Sequence, residues 1–181
     1  MNETEQQLIL KNLQKLRHKK VLNEQNTKEI YNYMHALAET HYEPAKRFFI
    51  NCLTANNVVW RLNAIRCLGF HYNLSEENLV LETIRLRIVE DPSSLVRLSS
   101  ASVLGTYSKL WPDWALVTAL ESDPCEEVRK TAFDSLLQIA KISPLKIKQE
   151  LEGIKEGRIK PSIYEVNRII SESGLSLEPL P

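Results

Sequence analysis

The chain has 181 residues, 43% of them hydrophobic, which suffices for one domain with a buried core or for a short array of repeats. Lysine plus arginine number 23, as do aspartate plus glutamate, so a strong overall attraction to nucleic acid or anionic lipid is excluded. With only five glycines, the composition favours helices over hairpin turns and phosphate-binding loops.

Targeting signals and cysteine usage indicate where the protein resides. The apolar runs are shorter than the roughly 20 residues that span a bilayer, and the opening MNETEQQLIL lacks the basic and apolar regions of a secretory signal. Cys52, Cys67 and Cys125 form no CxxC pair, which argues against a disulfide framework or a zinc site. We therefore expect a cytoplasmic protein that does not associate with membranes.

Apolar residues recur at helical spacing along almost the whole chain. Ile30, Tyr33, Met34, Leu37 and Ala38 follow the i, i+3, i+4, i+7, i+8 pattern of an amphipathic helix, and no stretch alternates as a strand would. An all-α chain without a sheet is predicted. In chain order, the predicted helices cover residues 4–20, 27–40, 44–54, 58–70, 75–89, 92–108, 112–121, 124–140, 144–152 and 161–173.

Three predicted helix starts share one device. Asp91, Asp123 and Ser143 are each followed by proline, which places a side-chain acceptor at the N-cap and proline at the first helical position. Because short connections join the predicted helices, consecutive helices are expected to form antiparallel hairpins. Recurrence of the device suggests a repeating unit.

An internal repeat appears when the chain is aligned on its arginines. The segments WRLNAIRCLG (60–69), VRLSSASVLG (96–105) and VRKTAFDSLL (128–137) lie 36 and 32 residues apart. In the second and third segments an Asp-Pro pair precedes the valine, whereas Ala55 stands in place of the aspartate before the first. The first segment also has Trp60 where the others have valine.

These segments resemble the second helix of the HEAT repeat, in its short bacterial form, over about residues 44–141. The resemblance implies an all-α fold in which about five helix pairs stack as a right-handed α-α superhelix. It also implies a ladder in which Arg61, Arg97 and Arg129 pair with aspartates such as Asp91 and Asp123. We predict a single HEAT-like domain at residues 1–175 and a C-terminal tail at residues 176–181.

A second, mostly apolar stripe lies on each of the three repeat helices. It comprises the residues two, five and nine positions after Trp60, Val96 and Val128, and Arg66 and Asp134 flank it. In a HEAT array the second helices line the concave surface, so the stripe would form a groove for a protein partner. Alternatively, the stripe is covered and belongs to the core. The candidate partner-binding residues are Leu62, Ile65, Arg66, Leu98, Ala101, Lys130, Phe133, Asp134 and Leu137.

Catalytic and cofactor motifs are missing from the sequence. It contains neither HExxH nor the common nucleotide-binding fingerprints, and its histidines are scattered. We predict no catalytic residue, cofactor or metal site, and the leading hypothesis is a non-enzymatic scaffold that binds a protein.

One alternative is a subunit of a HEAT-like bilin lyase, which an apolar groove near histidines would suit. Another is a HEAT-like DNA-repair or nucleic-acid-binding protein, suggested by Trp111, Asp113 and Trp114, although these residues also suit the start of a packed helix.

Overall fold

The computed structural model describes residues 1–175, which are helical with no strand. The chain divides into two compact units, Met1–Glu76 (unit 1) and Glu77–Pro181 (unit 2). The all-α prediction is confirmed, and the helices are consistent with a HEAT-like array of hairpins. The predicted tail at 176–181 lies outside the described residues. The helices are α1 (Glu3–Arg17), α2 (Glu24–Glu39), α3 (Glu43–Cys52), α4 (Val58–His71), α5 (Asn78–Glu90), α6 (Ser94–Tyr107), α7 (Trp114–Ser122), α8 (Glu126–Ile139), α9 (Pro144–Lys155) and α10 (Ile163–Glu172).

Each predicted helix is present, and its ends fall within three residues of the prediction. The predicted capping was wrong for Asp91 and Asp123, because α6 and α8 have their N-caps two residues later, at Ser93 and Cys125. Each aspartate instead accepts a hydrogen bond from the backbone N–H of that later residue, at 3.0 and 2.8 Å. The short side chain closes a turn around the proline before the helix begins. Ser143 caps α9 as predicted.

Unit 1 consists of α1 to α4, with α2 packed between α1 and α4, and α3 against α4. Its core includes Leu37, Phe49 and Leu68, all fully buried. The aromatic rings of Phe48 and Trp60 meet edge to face with centroids 5.9 Å apart, a favoured geometry for aromatic pairs. Apolar burial between the hairpin α1–α2 and the hairpin α3–α4 therefore holds this unit together.

Unit 2 contains α5 to α10. Helix α6 packs against α5 and α8, and α8 also contacts α7, α9 and α10. The second helices α6 and α8 thus have neighbours on several sides, which buries most of their circumference. Small residues at the α6–α8 contact permit a close approach, and the Ser135 hydroxyl donates a hydrogen bond to the Ala101 carbonyl at 2.9 Å.

Gly105 lies at the tightest point of this contact. A Cβ atom there would stand 2.7 Å from Ser135 Oγ, 2.8 Å from its Cβ and 3.0 Å from its Cα. We expect Gly105→Ala to lower the free energy of unfolding by about 1–2 kcal/mol, because the overpacking exceeds the roughly 1 kcal/mol gained in helix propensity. Urea unfolding measures it, with the exposed neighbour change Thr106→Ala as the control. A Gly105→Ala variant more stable than the parent would contradict the close packing.

Candidate functional site

The residues predicted to bind a partner fall into two sets by burial. Five are partly accessible at the surface, and they include charged side chains on α4 and α8. Four have side chains that are 0% exposed and lie inside their own units, so a partner cannot contact them in this packing: Ile65, Ala101, Phe133 and Leu137. The accessible residues are Leu62, Arg66, Leu98, Lys130 and Asp134. The core alternative thus describes the four buried residues, and partner binding by the five accessible residues stays a prediction.

The accessible arc of the second helices is narrower than the sequence pattern suggested. In α4, α6 and α8 the residues five and nine positions after Trp60, Val96 and Val128 are buried, whereas those two, six and ten positions later are accessible. Successive accessible positions are four residues apart, so they form one line along each helix. These lines consist of Leu62, Arg66 and Phe70; Leu98, Ser102 and Thr106; and Lys130, Asp134 and Gln138.

A surface groove runs between α8 and α9. It consists of two adjoining cavities of about 440 and 510 Å³, both of which are lined by Asp134 and Leu151. We call it the α8–α9 groove. Lys130 also lines the groove, so it contains two of the residues predicted from the sequence, Lys130 and Asp134. The residues of α9 that line it were not predicted. No histidine lines the groove within the described part of the chain, which removes the motivation for the bilin alternative at this site.

The two sides of the α8–α9 groove differ in charge. On the α8 side, Lys130 is bound by Glu126 at 2.7 Å and by Glu127 at 3.3 Å, and the Glu126 hydrogen bond raises the pKa of Lys130. On the α9 side, Lys148 and Lys155 form no ion pair within residues 1–175. The uncompensated charge of the groove is therefore positive along α9.

Ile142, Ile147 and Leu151 supply the apolar lining of the groove. Ile142 and Ile147 are only 5% and 7% exposed, so they form its base, whereas Leu151 is half-buried and stands between the two cavities. Asp134 accepts a hydrogen bond from Gln138 at 3.0 Å on the opposite side. An apolar base between charged walls is a common arrangement for docking an amphipathic segment.

A buried ion pair joins helix α6 to the turn before α8. Nε and Nη2 of Arg97 donate to the two carboxylate oxygens of Asp123 at 2.7 and 2.9 Å. This hydrogen bonding raises the pKa of Arg97, and the geometry is that of the bidentate arginine–carboxylate pair. One rung of the ladder implied by the HEAT resemblance is therefore present in unit 2.

Asp113 is held by hydrogen bonds from within unit 2. It is 0% exposed, accepts from Arg85 Nε at 2.8 Å and from the Ser108 hydroxyl at 2.6 Å, and caps α7 through the N–H of Ala115 at 3.1 Å. A buried carboxylate with these partners is not available to a nucleic acid. The geometry therefore does not support the repair-enzyme alternative at this position.

The thiols and histidines of unit 1 show no reactive arrangement. Burial raises the pKa of Cys52 to about 11 and of Cys67 to about 12, so both thiols stay protonated near neutral pH and are poor nucleophiles. Burial, assisted by His71, lowers the pKa of His35, whose ring lies 4.4 Å from that of Tyr31. No group of three or more potential metal-ligating side chains occurs among residues 1–175.

Comparison with known families identifies one repeat directly. The HEAT repeat model matches residues 114–143, the segment that contains α7 and α8. The predicted resemblance to the HEAT-repeat family is thus confirmed, and the fold defines a helical repeat protein of a class that commonly mediates protein interactions. No curated protein and no solved structure matches the chain. Within residues 1–175, no helix combines the length and apolarity needed to cross a membrane.

Proposed function

We propose that this protein is a non-enzymatic scaffold that binds a protein partner through the α8–α9 groove. The observation that carries the proposal is the apolar base of the groove beside two lysines of α9, Lys148 and Lys155, that form no ion pair with any described residue. The HEAT repeat at residues 114–143 supports it, because such repeats commonly bind proteins. Leu62, Arg66 and Leu98 remain candidates for additional contacts.

The occupant that fits best is an amphipathic helix with acidic residues along one edge. Its apolar side would cover Leu151 and the isoleucines at the base, and its acidic edge would face Lys148 and Lys155. Asp134, on the α8 side, disfavours acidic residues along the other edge. The groove thus selects both the composition of the segment and its orientation.

A displayed library of helical peptides tests the proposal. Selection against the whole chain is expected to enrich apolar residues at i, i+3 or i+4, and i+7, with acidic residues beside them. Lys148→Glu is expected to weaken the selected peptides at least tenfold, because it replaces an attractive charge with a repulsive one. Fluorescence anisotropy measures the affinity.

Two control variants make this test specific. Lys11→Glu makes the same charge change on the exposed surface of α1 and is expected to leave binding unchanged. Leu151→Asp is expected to abolish binding through loss of the apolar contact. Peptides that bind all these variants equally, or self-association of the chain through the groove, would refute the proposal.

A cytoplasmic location is also proposed. All three cysteines are free, Cys52 and Cys67 in the core and Cys125 partly accessible, which suits a reducing compartment.

A further inference from the structure

The second helices of unit 2 begin with a repeated arrangement of charges. Asp91 and Asp123 each stand two residues before an N-cap and directly before a proline. Four residues after those N-caps come Arg97 and Arg129, on α6 and α8 respectively. The two arginines therefore occupy equivalent positions, and differences between them arise from their neighbours.

Both arginines make the same first contact. Nη1 of Arg97 donates to the Asp91 carbonyl at 2.9 Å, and Nη1 of Arg129 donates to the Asp123 carbonyl at 2.6 Å. Arg97 then uses Nε and Nη2 on the Asp123 carboxylate, at 2.7 and 2.9 Å. Nε and Nη2 of Arg129 have no hydrogen-bond partner among residues 1–175. No described residue therefore occupies the edge of Arg129 that would hold the next carboxylate of the ladder.

The cause is a change of residue in the following repeat. Helix α10 has its N-cap at Ser162, so the position that corresponds to Asp123 is Lys160, which Pro161 follows. A cation thus stands where the ladder requires an anion. Among the described residues, the third rung of the ladder therefore has no carboxylate, and the side chains of Arg129 and Lys160 both line the space beside it.

That space is a cavity of about 730 Å³, which we call the Arg129 cavity, whereas the equivalent space beside Arg97 is about 250 Å³. Leu120, Ile154 and Ile159 supply apolar lining. Its carboxylates already have partners: Glu121 accepts from the Ile163 N–H at 2.6 Å and Glu126 from Lys130 at 2.7 Å. Asp123, the third, is bound by Arg97. Only Glu126 and Asp123 have cationic partners among the described residues, so the charges left in the cavity are the two positive ones of Arg129 and Lys160 and the negative one of Glu121.

We propose that the Arg129 cavity binds the carboxylate of a ligand with an adjacent apolar group, held by Nε and Nη2 of Arg129 as Asp123 is held by Arg97. A carboxylate matches the two parallel donors of this edge, and the nearby acidic side chains disfavour a doubly charged anion such as phosphate. A peptide and a small organic acid share this chemistry. The site has no lining residue in common with the α8–α9 groove, so it does not depend on the proposed scaffold function.

Side-chain NMR of the whole chain tests the site. The Nε–H resonance of Arg129 is followed during titration with hydrocinnamate, with a short acetylated peptide ending in leucine as the free acid, and with inorganic phosphate. A saturable shift of Arg129 with at least one carboxylate probe, while Arg97 is unchanged, is expected. Binding of hydrocinnamate alone identifies a small acid as the source, and binding of the peptide alone identifies a chain terminus.

The C-terminally amidated form of the same peptide is the matched control. It is expected to bind at least tenfold more weakly than the free acid, because it lacks the charge that Arg129 recognises. Equal binding of the amide, a response to phosphate alone, or no response to either carboxylate would overturn the proposal.

Two substitutions test the assignment to these residues. Arg129→Gln is expected to weaken carboxylate binding at least tenfold, whereas Arg158→Gln, at an exposed arginine paired with Glu156, leaves it unchanged. Retention of the Arg97 Nε–H shift shows that the variant is folded. Unaltered binding by Arg129→Gln would refute the site.

Lys160→Asp restores the missing rung without changing Arg129. The new carboxylate is expected to occupy the ligand position, which raises the thermal midpoint of unfolding and abolishes binding of the carboxylate probes. Since this variant gains an ion pair, it remains informative if Arg129→Gln fails to fold. Full binding by Lys160→Asp would contradict the proposal.

Discussion

Replacing Asp123 with alanine is expected to destabilise unit 2 by about 3–5 kcal/mol, because the change leaves the guanidinium of Arg97 buried without its carboxylate. The side chains of this pair are only 11% and 4% exposed, so water would hydrate the unpaired guanidinium less well than in open solvent. The aspartate also accepts the Cys125 N–H at 2.8 Å, and the turn before α8 would lose that contact too. Native-state hydrogen exchange of the α6 and α8 amides measures the effect.

Matched variants separate the charge from the turn. Asp123→Asn keeps an acceptor for the Cys125 N–H but lacks the charge, so most of the loss is expected to persist. Arg129→Ala, at the equivalent arginine, which has no carboxylate partner among residues 1–175, is expected to cost only about 1 kcal/mol for one hydrogen bond. The double variant Arg97→Met/Asp123→Leu is expected to recover most of the stability. An Asp123→Ala cost below about 1 kcal/mol would show that the pair is not a structural rung.

The helical fold was predictable because its signals are local. The i, i+3, i+4 pattern located every helix, and the VRLSSASVLG and VRKTAFDSLL segments predicted the repeat that the family match confirms in part. Helix starts were less predictable at Asp91 and Asp123. An aspartate before proline can cap a helix or close a turn that precedes one, and the local sequence is the same in both cases.

The candidate site was predictable only in part, because exposure depends on neighbouring helices. Lys130 and Asp134 were selected and do line the α8–α9 groove. Phe133 and Leu137 were selected on the same pattern, yet α6, α7, α9 and α10 contact α8 and bury them. The spacing of apolar residues in one helix does not indicate how many neighbouring helices pack around it. The α9 residues Lys148 and Leu151 were missed because α9 lies outside the recognisable repeat segments.

The Arg129 cavity could not be predicted from the sequence for a different reason. Its distinguishing feature is the replacement of a ladder aspartate by Lys160, and a longer connection separates α9 from α10 than separates α7 from α8. Helix α10 also has Val166 at the position that corresponds to Arg129, so alignment on the arginines does not bring Lys160 opposite Asp123. The N-cap at Ser162 establishes the correspondence, and this cap is a feature of the folded backbone.

Phe133→Ala is expected to destabilise unit 2 by about 3–5 kcal/mol, because the side chain is fully buried and its removal leaves a cavity. Phe133 is a residue of α8, and several helices pack against α8. These helices can close only partially around the cavity that the missing ring would leave. Hydrogen exchange of the α8 amides measures the loss. This result would assign the buried part of the second stripe to the core of unit 2.

Lys130→Ala is the matched control, since Lys130 lies one turn earlier on the same predicted stripe but reaches the surface. Its ion pairs with Glu126 and Glu127 involve largely exposed partners, so their loss is expected to cost less than about 1 kcal/mol. A large difference between the two variants follows from burial alone, because the sequence pattern treats the positions alike. If the two variants lose equal stability, the division of the stripe into buried and accessible residues is wrong, and with it the placement of the partner-binding face.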